Sequence, residues 1–431
     1  MKRFFCFILA TFLLLGLVSC AEEQPSVPYY LFVYNSIGMT KQDMEAVAAL
    51  GDLYDGYDIV MVDVRDEMDA SGVYQMLVSV RAEKGIDPSG IQIFGTPSMV
   101  PSFELRYEME TNTGDGTTET ILGDNFVSDY FYTNFNNDPT MFDEISAYQL
   151  SNQLDHIDIL PQWPVVRLPL FGVHIAEFIE KYLEYLSMDG REHVTNISVS
   201  SPILPVGWYF VAMDDTGYFL MRARDEWKLI DDLHMYGTTE GVYASSLALE
   251  GNCDPENWAH LTQESVCEIY HDSHAGPNAL LQTIFDGRGI NDYHCREVLS
   301  TQTINEVLNG LPYFLNTSGC EPAKGMSDNI ITTALRGQCM GAIASTTLVS
   351  NVEIDCMLSE EDYQLGHTKY SLLYGYLYAK HSGQTRTVAF CEGQKQVAAF
   401  LNDNTDTVAA NSFQSNLNNL LGFHNFGVID P

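Results

Sequence analysis

The chain has 431 residues, 45% of them hydrophobic and 18% charged, with 58 acidic against 21 basic side chains and a formal charge of −37 at neutral pH. Such a surplus of carboxylates excludes a nucleic-acid partner, whose phosphates need the opposite sign, and repels anionic lipid headgroups. A chain of this length and apolar content buries a large core and divides into two or three compact units.

Lys2 and Arg3 precede an apolar run over residues 4–18, which stops at Ser19-Cys20 and passes at once into Ala21-Glu22-Glu23. The run is short for a membrane span and reads as a secretory leader over residues 1–19. Leu17-Val18-Ser19-Cys20 resembles a bacterial lipobox, which implies a lipid anchor on Cys20; an ordinary cleaved leader is the alternative. An aspartate does not follow the cysteine directly, which by analogy with lipoprotein sorting points to the outer membrane or cell surface.

The pattern then predicts a strand at 29–34, a helix at 41–54, a strand at 58–64, a helix at 73–84 and a strand at 91–94, a βαβαβ succession and hence a parallel sheet. A hairpin-rich stretch follows, turning at the Gly/Thr/Asp-rich residues 111–119 and ending near 128–132. Residues 163–169 and a helix at 173–185 close the first unit, 28–188, and the polar stretch 189–201 reads as the boundary. The second unit, 202–431, restarts the alternation: a strand at 208–213, a helix at 219–233, strands at 241–245 and 281–285, and a helix at 298–308. A strand at 313–317, a helix at 330–335, a strand at 339–345 and a helix at 370–380 follow.

Cys6 lies in the leader and Cys20 at its end, which leaves Cys253, Cys267, Cys295, Cys320, Cys339, Cys356 and Cys391, an odd number. In an exported chain up to three disulfides fit, with Cys320 the choice for the unpaired thiol because it sits at a strand end. The spacings form no zinc pattern, and no segment carries the spaced carboxylates of an EF-hand. No cofactor is expected; calcium fits only as a structural ion assembled from distant loops.

Several segments, taken in order, resemble the gingipain-type cysteine peptidases. Residues 91–101, Val127-Ser128-Asp129-Tyr130-Phe131-Tyr132 and 163–169 look like that family's first subdomain; 285–289, 313–320, 339–345 and Leu420-Leu421-Gly422 look like its catalytic subdomain. The resemblance implies two tandem parallel-sheet, three-layer αβα units of caspase–gingipain type. It implies Cys320 as the nucleophile and backbone amides at Gly287, Gly289 and Gly319 as oxyanion donors. It puts Arg288, within Phe285-Asp286-Gly287-Arg288-Gly289, in the place of the family's histidine. Other departures are Thr96 in place of an aspartate, and Phe423-His424 after Gly422 where Asp-Pro is common.

A thiol with an ordinary value near 8.5 needs a base, and a guanidinium, always charged, cannot take its proton. Arg288 would favour the thiolate yet could not protonate a leaving amine. His294, on the loop beyond Arg288, is the substitute expected, while His271 and His274 read as part of the loop before that strand. The remaining histidines carry no spacing that suggests metal or catalysis. Packing alternatives stand beside these roles: Cys320 as a buried or bridged thiol, Arg288 in an ion pair, Asp129 capping a turn and Arg167 preceding a helix.

The reading is therefore a peptide- or protein-binding homologue of these peptidases, impaired in catalysis and held on a membrane through Cys20. An active or residually active endopeptidase using Cys320 with His294 or a nearby histidine is the second reading, and a structural or adhesive surface lipoprotein the third.

Overall fold

The structure is a computed structural model and describes residues 27–430, apart from 66–67, 114–116, 143–144, 152–155, 192–193, 201–238, 244–254, 273, 286–292, 350–371, 373–375, 377–378, 381 and 404–409. The leader and Cys20, the expected strand at 208–213 and the expected helix at 219–233 lie outside these residues.

One ten-stranded sheet organises the chain. In chain order its strands are β1 (Tyr29–Tyr34), β2 (Asp58–Asp63), β3 (Gly90–Phe94), β4 (Val165–Leu168), β5 (Val194–Ser200), β6 (Thr239–Tyr243), β7 (Val266–Asp272), β8 (Tyr313–Thr317), β9 (Cys339–Ser345) and β10 (Phe423–Gly427). Their order across the sheet is β6-β5-β7-β8-β9-β10-β4-β3-β1-β2. Every neighbouring pair runs parallel except β9 with β10. The two expected parallel units are thus present, and the last strand of the chain joins them edge to edge.

Helices cover both faces, as buried parallel strands require. On β1 the side chains alternate: Tyr29, Leu31 and Val33 pack on one face, Phe32 and Tyr34 on the other. The second face carries a single apolar layer through both halves, from Phe32, Val47 and Phe178 to Ile197, Ile269, Leu315 and Leu335. A buried carboxylate fixes two of its helices. Thr40 and Asp43 cap the helix Lys41–Gly51 reciprocally, and the second Asp43 oxygen accepts the Ala176 N–H at 3.0 Å, near the start of the helix His174–Ser187.

Two predicted elements come out differently. The polar stretch read as a boundary contains β5, whose Val194, Ile197 and Val199 are buried. The expected helix at 298–308 is instead the end of a strand, Tyr293–Ser300, followed by a single helical turn, Ile304–Val307.

Candidate active site

In the second half β7, β8 and β9 lie side by side, so their C-terminal ends form one rim. Ligands of open α/β sheets gather at such ends, where loops leave a rigid scaffold. β8 reads Tyr-Phe-Leu-Asn-Thr with every residue buried, then turns through Ser318 and Gly319 to Cys320. β7 ends in His271-Asp272, and His274 follows one residue past Ser273. His271 stands opposite Thr317 in the parallel register, so His274 and Cys320 each lie the same short distance in sequence beyond that pair.

The turn before Cys320 is held by specific bonds. Ser318 N–H donates to the His271 carbonyl at 3.0 Å. Gly319 N–H donates to Thr317 Oγ1 at 3.2 Å, so this amide, expected as an oxyanion donor, is already committed to a side chain. Beyond it the Glu321 N–H donates to Thr347 and the Ala323 N–H to Ser345, which lashes the segment to the end of β9. Glu321, Met326 and Asp328 all have positive φ, at 54°, 50° and 46°. Left-handed backbone at non-glycine residues costs energy and clusters at functional sites.

Cys320 is partly buried and free of any disulfide. Its Sγ lies against the backbone of Val349, 3.4 Å from the amide nitrogen and 3.5 Å from the carbonyl oxygen. Burial pushes the thiol above its ordinary value, the Val349 N–H pulls the other way, and the Glu321 carboxylate adds to the rise. A thiol pushed up in this way needs a base if it is to act as a nucleophile.

Cys267, Cys295, Cys339 and Cys391 are also free, which removes most of the disulfides the sequence allowed; Cys253 and Cys356 lie outside the described residues. Burial pushes Cys267 up to about 11, Cys339 to about 11 and Cys391 to about 12, the behaviour of packed, inert thiols. Cys295 is exposed on an outlying strand.

Below the rim, Glu268 of β7 is buried and accepts hydrogen bonds from Asn316 Nδ2 at 2.8 Å, Lys380 Nζ at 3.0 Å and the Tyr376 hydroxyl. Burial keeps its carboxyl above the ordinary range even though Arg386 favours the charge. The same burial, with Arg386 adding to it, lowers Lys380 to about 7. This network braces β7 and β8 from the face opposite the shared apolar layer, through Tyr376 and the helix Arg386–Asp403.

The strand expected to deliver the histidine's position does not neighbour β8. Ala279–Phe285, the strand that precedes Arg288, pairs with Ala275–Gly276 and Tyr293–Ser300 in a separate three-stranded antiparallel sheet. It is not β8's neighbour; β7 is. Arg288, Gly287 and Gly289 lie outside the described residues. His294 stands opposite Ile284 within the antiparallel sheet rather than at the rim. His271 and His274, read from the sequence as loop residues, stand at the end of β7 and just beyond it. The available signal was the strand-forming run Val266-Cys267-Glu268-Ile269-Tyr270-His271, bounded by Ser265 and Asp272-Ser273.

Asp129 and Arg167 belong to the first half and form a closed pair. Arg167 Nε and Nη2 donate to the two Asp129 oxygens at 2.6 and 2.7 Å, Nη1 to the Gly95 carbonyl at 2.8 Å and Nη2 also to Ser102 at 2.9 Å. Burial works to raise the Asp129 carboxyl, but the guanidinium beside it and the Ser102 hydroxyl hold it below the ordinary value. Neither residue caps a turn or leads a helix in the way the sequence suggested. Among the described residues no cluster of His, Cys, Asp and Glu is fit to hold a metal ion.

No protein-family model matches the chain, and no curated protein matches its sequence. Solved structures do match its fold. The Arg-specific cysteine proteinase gingipain R (RgpB) superposes with a TM-score of 0.60 at 10% identity, over 94% of this chain and 78% of that one. The complex of the pro- and mature domains of RgpB from Porphyromonas gingivalis gives 0.54 at 11% identity, over 93% and 78%. A further structure described only as a protease gives 0.52 at 11% identity, over 93% and 77%. The chain therefore has a gingipain-like cysteine-peptidase fold, with the large parallel-dominated sheet of that type.

Proposed function

We propose that this chain is a gingipain-like cysteine peptidase homologue that hydrolyses peptide bonds, with Cys320 as nucleophile and His274 as the base that serves it. One observation carries the reading: the strand beside β8 is β7, and the register His271 opposite Thr317 sends His274 and Cys320 out of the same rim in step. A neutral imidazole supplies what Arg288 could not, taking the thiol proton as sulfur attacks the carbonyl and returning it to the leaving amine. Pre-positioned turns make that exchange local rather than a diffusive encounter.

A second reading, a peptide binder that does not turn over, draws on the seat of Cys320 against Val349 and the elevated thiol that results. Peptides or proteins are the ligands in either case. We place the chain on a membrane through lipid on Cys20, at the outer membrane or cell surface, with calcium at most a structural ion.

Cleavage of a mixed peptide library by the chain and by its Cys320→Ala variant, under reducing conditions and with calcium, separates these readings. The peptidase reading expects turnover that disappears in Cys320→Ala. Equal binding and no cleavage by either protein would establish the binder in its place.

A further inference from the structure

His271 is buried at the end of β7, and both of its ring nitrogens are engaged. Nε2 lies 3.0 Å from the Leu281 carbonyl oxygen, which can only accept, so the ring proton sits on Nε2. In the neutral ring Nδ1 is then an acceptor, and at 3.0 Å its partner is the Thr317 hydroxyl, which must donate. The Thr317 oxygen in turn accepts the Gly319 N–H, one residue before Cys320. At the other end the Leu281 N–H donates to the His274 carbonyl at 2.9 Å.

These bonds form one directional chain: Gly319 N–H to Thr317 Oγ1, Thr317 O–H to His271 Nδ1, His271 Nε2–H to Leu281 O, and Leu281 N–H to His274 O. It starts at the turn that delivers the thiol and ends on the backbone of the histidine proposed to serve it. Along its length every donor meets an acceptor, so the chain fixes one tautomer and one spacing.

We propose that His271, in its neutral Nε2–H form and with Thr317 as its relay, is a positioning residue that sets His274 and Cys320 in register; this rests on the dyad reading given above. The ring itself takes no part in proton exchange, because both nitrogens are occupied by structural partners.

Two measurements test it on the full chain. Nitrogen-15 spectra of the imidazoles should show His271 as the neutral Nε2–H tautomer; an Nδ1–H ring, or a doubly protonated one at neutral pH, overturns the proposal whatever the activity. The second is a double-mutant cycle read by the rate of Cys320 alkylation with iodoacetamide. Thr317→Val keeps the shape of the side chain and removes the hydroxyl, and should slow alkylation roughly tenfold, the scale of one or two lost hydrogen bonds. Thr317→Ser should restore it, and peptide cleavage should lose kcat with KM held.

In a His274→Ala background Thr317→Val should add nothing, since it acts through that residue. An equal, additive loss in both backgrounds, or no loss from Thr317→Val alone, overturns the positioning role. If His274→Ala itself changes neither alkylation nor cleavage, the dyad reading fails and this proposal falls with it. Should Thr317→Val not fold, the tautomer measurement on the unaltered chain still decides.

Discussion

Both halves of the sheet bury a polar cluster at strand ends, and the two are built on opposite plans. In the first half Arg167 and Asp129 carry full charges, and every guanidinium nitrogen points at a fixed acceptor within the cluster. The second half uses a neutral chain through His271 and Thr317, whose two ends are backbone groups of turns beside a partly buried thiol. A closed charged cluster defends a fold, because losing one partner strands a buried charge. An open neutral relay costs less to bury and transmits position to what lies beyond it. The chemistry proposed above draws on the second half, whose neutral chain lies above a buried charged pair of its own, Glu268 with Lys380.

The sharpest way to break this contrast is Asp129→Ala. It should destabilise the chain by about 3–5 kcal/mol in urea or guanidinium denaturation, as removal of one partner from a buried ion pair does, with the rate of Cys320 alkylation in the folded protein unchanged. A change in thiol reactivity equal to that of Thr317→Val would erase the distinction between the halves.

Acid should find the same seam. His424 of β10 is buried near Asp129 and Arg167, and burial lowers it to about 4 from an ordinary 6.5, against the attraction of Asp129. The unfolded chain therefore binds this proton first. The contribution is complete above about 6.5 and is lost as pH falls towards 4, on the order of 3 kcal/mol across that window. His424→Phe should flatten stability against pH between those values. A slope that survives the substitution would assign the loss to another group.

A smaller effect is expected from Asp43→Ala, which removes a capping box and the bond to the Ala176 N–H that joins two helices of the shared apolar layer. Stability should fall by about 1–2 kcal/mol, while peptide cleavage per folded molecule stays the same.

Much of the fold was legible because buried parallel strands write themselves as apolar runs. Tyr29–Tyr34, Gly90–Phe94, Tyr313–Thr317 and Cys339–Ser345 each announce themselves in this way, and Tyr313–Thr317 carries Cys320 just past its end. β7 escaped because Glu268 and His271 interrupt its run, and their partners, Asn316, Lys380, Thr317 and Leu281, are distant in sequence. β5 escaped for a similar reason, since Thr195, Asn196, Ser198 and Ser200 alternate with its buried Val194, Ile197 and Val199. The place expected for the histidine and the one proposed above differ by a topological step. The last apolar strand before β8 in sequence belongs to a hairpin sheet inserted between two neighbours, so nearness along the chain pointed to Arg288 while pairing points to β7.

The account turns on which histidine serves Cys320, and a comparison of peptide cleavage by the unaltered chain, His274→Ala and His294→Ala tests it most directly. The prediction is a fall in kcat/KM of roughly 10²–10⁴ for His274→Ala, the usual contribution of a positioned base, and no change for His294→Ala. Full activity in His274→Ala, or its loss only in His294→Ala, would contradict the assignment of the site to the β7–β8 rim.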